Sequence, residues 1–264
     1  MTGRFKTLLA MPVLALLGQL LPGVSGPASS DAAADHLIEC RSAPIESEFN
    51  YPLPKVARAI AAKRLNILVV GAGSSALPGP NGIKNAYPAR LREALAAKLP
   101  GVEINVETDV KARRTAGEMV KSMTPALASA KPALMIWQTA TVDAMQAVEQ
   151  DRFSQHLDKG INIARSAGAD VIFVNPQYSP RTESMIALSA YVENLRWVAL
   201  QQEVPVFDRF NLMKAWADLG TFDLYSATKK LDMAERVHDC IGRLLAGLVI
   251  ETAKPNVPRT EGGR

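Results

Sequence analysis

From residue 64 onward, short apolar runs alternate with longer amphipathic stretches, and few architectures accommodate that alternation. Residues 65–70 (LNILVV) are nearly all apolar, as a strand covered on both faces requires. Residues 86–99 (AYPARLREALAAKL) carry a helical pattern with Pro88 in its tolerant first turn. Residues 102–106 (VEINV) alternate like a strand, 115–130 are helical, and 133–137 (ALMIW) form a third apolar strand. A helix over 152–167 ends at Gly168, and a fourth strand over 169–174 (ADVIFV) stops at Asn175-Pro176. A helix over 185–202, a fifth strand over 204–207 (VPVF) and a closing helix over 233–251 complete the pattern. Strand and helix in alternation with short links predict a doubly wound, five-stranded parallel α/β sheet in one domain, residues 64–252. Ligands of such sheets bind at the carboxyl ends of the strands, which directs attention to residues 71–82, 107–114, 138–143 and 175–181.

The amino-terminal stretch reads differently. Arg4 and Lys6 precede an apolar run over 8–21 that is broken by Pro12 and Gly18 and falls short of the roughly 20 residues a membrane helix needs. Small residues follow, among them Gly23, Ser25, Gly26 and Ala28. These features predict a signal peptide over 1–30, cleaved between Ser25 and Ala34, with an uncleaved anchor as the alternative. Residues 31–63 would be an N-terminal extension, and the polar 253–264 a disordered tail. The expected location is periplasmic or secreted, with no stable membrane insertion after cleavage.

Composition supports a globular chain and little more: 48% of the residues are hydrophobic and 21% charged. Removing Arg4 and Lys6 from the 30 basic residues leaves 28 against 26 acidic ones, so no nucleic-acid partner is implied. Cys40 and Cys240 are the two cysteines, and in an oxidising compartment an even pair is most simply a disulfide. Two free buried thiols are the alternative. Three scattered histidines and no Cys/His cluster give no ligand set, so neither metal nor cofactor is expected.

Two readings compete for the glycine turn after the first strand. Gly71-Ala72-Gly73-Ser74-Ser75-Ala76 matches the dinucleotide fingerprint G-x-G-x-x-A. That fingerprint needs a helix to open at once, whereas Pro78, Gly79, Pro80, Asn81 and Gly82 follow, and no acidic residue ends a second strand about 20 positions on. The other reading takes residues 73–79 as a nucleophile turn, which lifts Ser75 to the edge of the sheet with glycines on both sides. A plain loop capped by Ser74 and Ser75 is the third possibility.

Gly73-Ser74-Ser75 with Gly79 resembles the first block of the SGNH/GDSL hydrolases, G-D-S with a Gly four residues on, Ser74 standing where the family has Asp. The resemblance implies a flavodoxin-like, SGNH-type sheet with Ser75 as nucleophile, and in element order it spans residues 65–249. The family's second block supplies an oxyanion N–H, and Ala112 or Arg113 falls at that place. Its third block, G-x-N-D, corresponds to Ala140-Thr141-Val142-Asp143, preceded by Trp137-Gln138. Ala140 replaces Gly, and Val142 replaces the Asn whose side chain donates to the oxyanion. Losing one such donor typically costs about 10²–10³ in rate, unless Gln138 or Thr141 takes over.

A serine esterase also needs a base, usually histidine. His36 lies in the leader, and His156 falls within a helix expected to cross a sheet face. His238 follows the fifth strand, with Glu235 three residues before it where the family has Asp-x-x-His. In a competing register, Lys229 and Asp232 take the places of acid and base, and no triad forms. The resemblance implies a serine esterase acting on an acyl or acetyl ester, on a small molecule or a glycan. Ser75 would attack, His238 would be the base and Glu235 would orient the ring. Ser75 and Arg113 would supply oxyanion N–H groups, and Gln138, Thr141 and Asp143 would line the substrate. The alternative is a catalytically impaired SGNH fold that binds a glycan or envelope partner.

Overall fold

The structure is a computed structural model, and it describes Cys40, residues 51–225 and residues 231–254. The expected signal peptide, His36 and most of the polar tail lie outside the described residues.

Five parallel strands form the sheet: β1 (Arg64–Gly71), β2 (Glu103–Val110), β3 (Leu134–Gln138), β4 (Asp170–Val174) and β5 (Val206–Phe207), in the order β2-β1-β3-β4-β5. This is the flavodoxin-like order that the SGNH/GDSL resemblance implied. β3 is buried at every position and β1 at all but its first and third, so their apolar runs are what a strand covered on both faces demands. β2 is an edge strand, half-exposed along its length, and it runs four residues further than its alternating pattern. The reason is pairing: β1 holds it in register from Arg64 opposite Glu103 to Gly71 opposite Val110. β5 shrinks to two residues, Phe173 pairing with Val206 and Val174 with Phe207.

Nine helices are present among the described residues. They are α1 (Pro54–Ala61), α2 (Tyr87–Lys98), α3 (Ala116–Ala130), α4 (Thr141–Met145), α5 (Gln150–Ser166), α6 (Pro180–Glu183), α7 (Leu188–Gln201), α8 (Arg209–Asp218) and α9 (Asp232–Thr252). α3 begins with a reciprocal capping box between Thr115 and Glu118. α1, α4, α6 and α8 were not anticipated. α1 lies within the expected extension and packs against the sheet, its entry fixed by the Leu53 N–H donating to Thr252 O at 2.9 Å. α2 and α9 pack on each other, and the Cys40–Cys240 disulfide is present, with Cα atoms 5.3 Å apart. No described helix is long and apolar enough to cross a membrane.

Candidate active site

β1 ends at Gly71, and Gly73–Ser75 makes one tight turn. The Ser75 side chain folds back over the strand end, where a Cβ on Gly71 would stand 2.3 Å from its Oγ. Ser75 is only 1% exposed, and Oγ lies 3.1 Å from Gln138 Oε1 and 3.0 Å from Tyr87 Oη. Gln138 Oε1 also accepts the Ala72 N–H at 3.2 Å, which identifies that atom as the amide oxygen. The serine has one proton and gives it to Gln138, so the tyrosine hydroxyl donates to Ser75 Oγ.

Tyr87 opens α2, and its backbone N–H, one of the helix's unpaired amino-terminal donors, goes to His238 Nδ1 at 3.0 Å. Nδ1 is thereby an acceptor, and the neutral ring carries its proton on Nε2. Burial, with the Arg209 charge as a second cause, pushes the His238 pKa down to about 3. Burial likewise raises the Tyr87 pKa, so the phenol stays protonated. Arg209, the first residue of α8 and fully buried, donates to Ser74 O at 3.1 Å and to Gln177 Oε1 at 3.0 Å. Its guanidinium carbon lies 5.9 Å from the centre of the Tyr87 ring, and burial pushes its pKa down to about 10.

Several site residues expected from the sequence are engaged otherwise. Glu235 Oε1 accepts from Asn85 Nδ2 at 2.7 Å, tying the loop before α2 to α9. It does not orient the imidazole, because Nδ1 already accepts the Tyr87 N–H and has no proton to give a carboxylate. Among the described residues no hydrogen bond joins Ser75 to His238; each meets Tyr87, one at its phenol oxygen and the other at its backbone nitrogen. The Ser75 N–H donates to Ala72 O at 3.0 Å and closes the turn. Arg113 is exposed with φ 63°, on a loop whose Ala112 packs near Gly73.

Asp143 is buried, with both oxygens 3.0 Å from the Ala116 N–H, so it caps α3 rather than lining a substrate cleft. Burial raises its pKa to about 6. Ala140 has φ 80°, the left-handed backbone that a glycine would adopt freely and that the family's third block supplies with one. Gln138 Nε2, Thr139 Oγ1, Thr141 Oγ1 and Ser74 Oγ are buried without partners, as is Arg209 Nε. His156 lies half-buried in α5, against Gly117 of α3. Among the described residues no group of three His, Cys, Asp or Glu side chains is placed to hold a metal.

Tyr87 and Arg209 were not found from the sequence. Tyr87 carried a readable signal, since a Tyr-Pro pair at a helix start puts the tyrosine at its first position. Arg209 carried only its place just after a strand.

The model of the non-GDSL lipase-like family matches residues 39–255. No curated protein sequence matches the chain. Among solved structures, an acetylxylan esterase from Geobacillus stearothermophilus, in a catalytic mutant, superposes with a TM-score of 0.56 at 12% identity, over 70% of this chain and 94% of its own. A lipase/acylhydrolase from Enterococcus faecalis gives 0.54 at 18%, over 69% and 96%. A G-D-S-L family lipolytic protein from Desulfitobacterium hafniense gives 0.53 at 16%, over 70% and 99%. These likenesses identify the fold as that of the SGNH/GDSL hydrolases.

Proposed function

Since the chain belongs to the non-GDSL lipase-like family, we propose that it is an exported acyl ester hydrolase whose nucleophile is Ser75. The observation that carries this reading is the position of the Ser75 hydroxyl. It stands past the carboxyl end of β1, beside the end of β3, and shares Tyr87 with His238. In the structure described, the hydroxyl is held closed, its proton on Gln138 and the imidazole on the Tyr87 amide.

Reaction requires substrate to take the place of the Tyr87 hydroxyl at Oγ, freeing the serine to turn toward His238. Oγ then bonds to the ester carbonyl carbon while its proton passes to His238 Nδ1, the ring nitrogen that carries no proton, once the Tyr87 N–H has released it. The carbonyl π electrons become an oxyanion, for which Gln138 Nε2, a buried donor with no other partner, is suited. Collapse of the adduct expels the alcohol, which takes the proton back, and water attacking the acyl-serine by the same route releases the acid. With Val142 in place of Asn and the Ser75 N–H committed to Ala72, this oxyanion hole is sparse and turnover slow. By analogy with the acetylxylan esterase, an acetyl group on a saccharide is the preferred substrate.

One observation favours a second reading, a binding protein on a hydrolase scaffold: the Ser75 proton goes to an amide carbonyl, which is not a base. Hydrolysis of p-nitrophenyl acetate separates the two. An esterase turns it over, and Ser75→Ala lowers the rate by about 10³ or more. Hydrolysis that survives the alanine change removes Ser75 from the mechanism, and an inert wild type favours the binder.

A further inference from the structure

A large cavity lies far from Ser75, at the amino edge of the sheet, and has a volume of about 1210 Å³. It opens between α1, α3 and α5 below the amino ends of β1 and β3. Along the eight residues of β1 that is about 23 Å from the nucleophile turn. Ala59, Leu127, Pro132 and Ile163 give it an apolar floor. Lys55, Arg58, Arg64, Lys131 and Lys159 stand around it, and among the described residues no carboxylate lines it. We propose that this groove binds an anionic amphiphile with a single acyl chain.

Charge and shape together select that class. Of the five cations only Arg64 has an ion pair among the described residues, with Glu103 at 3.7 Å and both side chains exposed. The nearby Asp170 directs Oδ2 to the Lys55 and Val56 N–H groups at 2.7 and 3.0 Å, capping α1. Helix dipoles explain Lys131 and Arg58, which sit at the carboxyl ends of α3 and α1. The Asp170 carboxylate also faces Lys55 and Arg58 electrostatically, and Glu103 pairs with Arg64, which leaves Lys159 within α5 as the rim cation that neither a helix end nor a described carboxylate accounts for. A cationic rim over an apolar floor suits a negative head on a hydrocarbon body. The volume exceeds the roughly 300–1,000 Å³ of ordinary small-molecule sites and suits a lipid-sized guest. The exposed large hydrophobic residues, such as Met145, Met185 and Trp197, lie elsewhere, so among the described residues the rim has no apolar prongs with which to enter a bilayer.

The test is calorimetric titration of the full chain with sodium laurate below its micelle concentration. One saturable site is expected. Arg58→Ser combined with Lys159→Ser should weaken binding about tenfold, the loss of two partly exposed charge contacts. Ala128→Trp, an exposed α3 position on the groove, should abolish binding while leaving the thermal transition in place. Ser75→Ala should bind laurate as the wild type does, separating this site from the ester chemistry. Laurate binding that is absent, or that ignores the charge and filling variants, overturns the proposal. So does dodecanol binding as tightly as laurate, or inorganic phosphate competing with it at equal concentration. Capture by phosphatidylglycerol vesicles without binding of free laurate would make the groove a membrane-docking face, and also overturns it.

Discussion

At the carboxyl end of β1 the fit between Gly71 and Ser75 leaves no room for a methyl group, since an added Cβ would lie 2.3 Å from Oγ and 2.9 Å from the serine Cβ. Gly71→Ala must rotate Ser75 or shift the turn that carries it. The expected result is a loss of about 1–3 kcal/mol in urea unfolding, as overpacking costs elsewhere, with at least a tenfold fall in p-nitrophenyl acetate hydrolysis. Full activity in that variant would show that the serine does not act from this position. His238 makes a second prediction at this scale. Its pKa is lowered to about 3, so the imidazole is neutral at every pH above that value. The acid limb that a solvated histidine would place near pH 6.5 should be missing, and kcat/KM should hold within about twofold from pH 8 down to pH 5. A tenfold fall per unit below pH 6.5 would mean that the working ring is exposed to water. The sequence made the place of Ser75, in the turn past β1, legible because its motif is local, glycines at fixed offsets after an apolar run. It misdirected Glu235 because spacing of three on a helix shows which groups share a face and not which of them bond. The group that took His238 Nδ1, the Tyr87 N–H, is 151 residues away in the chain and leaves no periodic trace.

Among the elements, α2 and α9 determine whether Tyr87 and His238 meet, and their approach turns on Gly242. A Cβ there would stand 2.5 Å from Arg90 Cβ and 2.8 Å from the Leu91 backbone nitrogen, so the two helices touch almost backbone to backbone. Alanine would gain about 1 kcal/mol of helix propensity, but the contact distances are below any that packed atoms tolerate. Gly242→Ala should therefore push α9 outward, with a net loss of about 1–2 kcal/mol and a drop in esterase rate as the Tyr87–His238 bond lengthens. Unchanged stability together with unchanged rate would show that α9 slides without disturbing the site. The strands were legible because buried parallel strands are continuous apolar runs, and β1, β3 and β4 fall within a residue of where their patterns place them. β2 outran its pattern because an edge strand is extended by its partner's hydrogen bonds, whatever its own side chains. α8 went unseen for a different reason. Its buried residues, among them Arg209, Phe210, Leu212, Met213 and Trp216, cover too much of its surface to leave an amphipathic signature.

For the whole molecule, the disulfide is the longest covalent constraint, joining residues 200 positions apart and enclosing all five strands. A loop of that length removes a large share of the unfolded chain's freedom, about 5 kcal/mol at 25 °C if the effect is purely entropic. Part of that is recovered when the unfolded chain stays compact, so a measured difference of about 2–5 kcal/mol is expected between the wild type and a Cys40→Ser, Cys240→Ser double variant. The unfolded ensemble should also expand once the link is gone, steepening the urea dependence of the unfolding free energy. Dithiothreitol should reproduce both changes in the wild type and neither in the double variant. The linkage also bears on chemistry, because Cys240 sits two residues after His238 on α9 and steadies the helix that brings the imidazole to α2. Reduction should therefore lower the esterase rate at urea concentrations well short of global unfolding. Wild-type protein from an oxidising compartment that unfolds at the same urea midpoint with and without reductant would show that the two sulfurs are not joined, and would remove the strongest structural support for export.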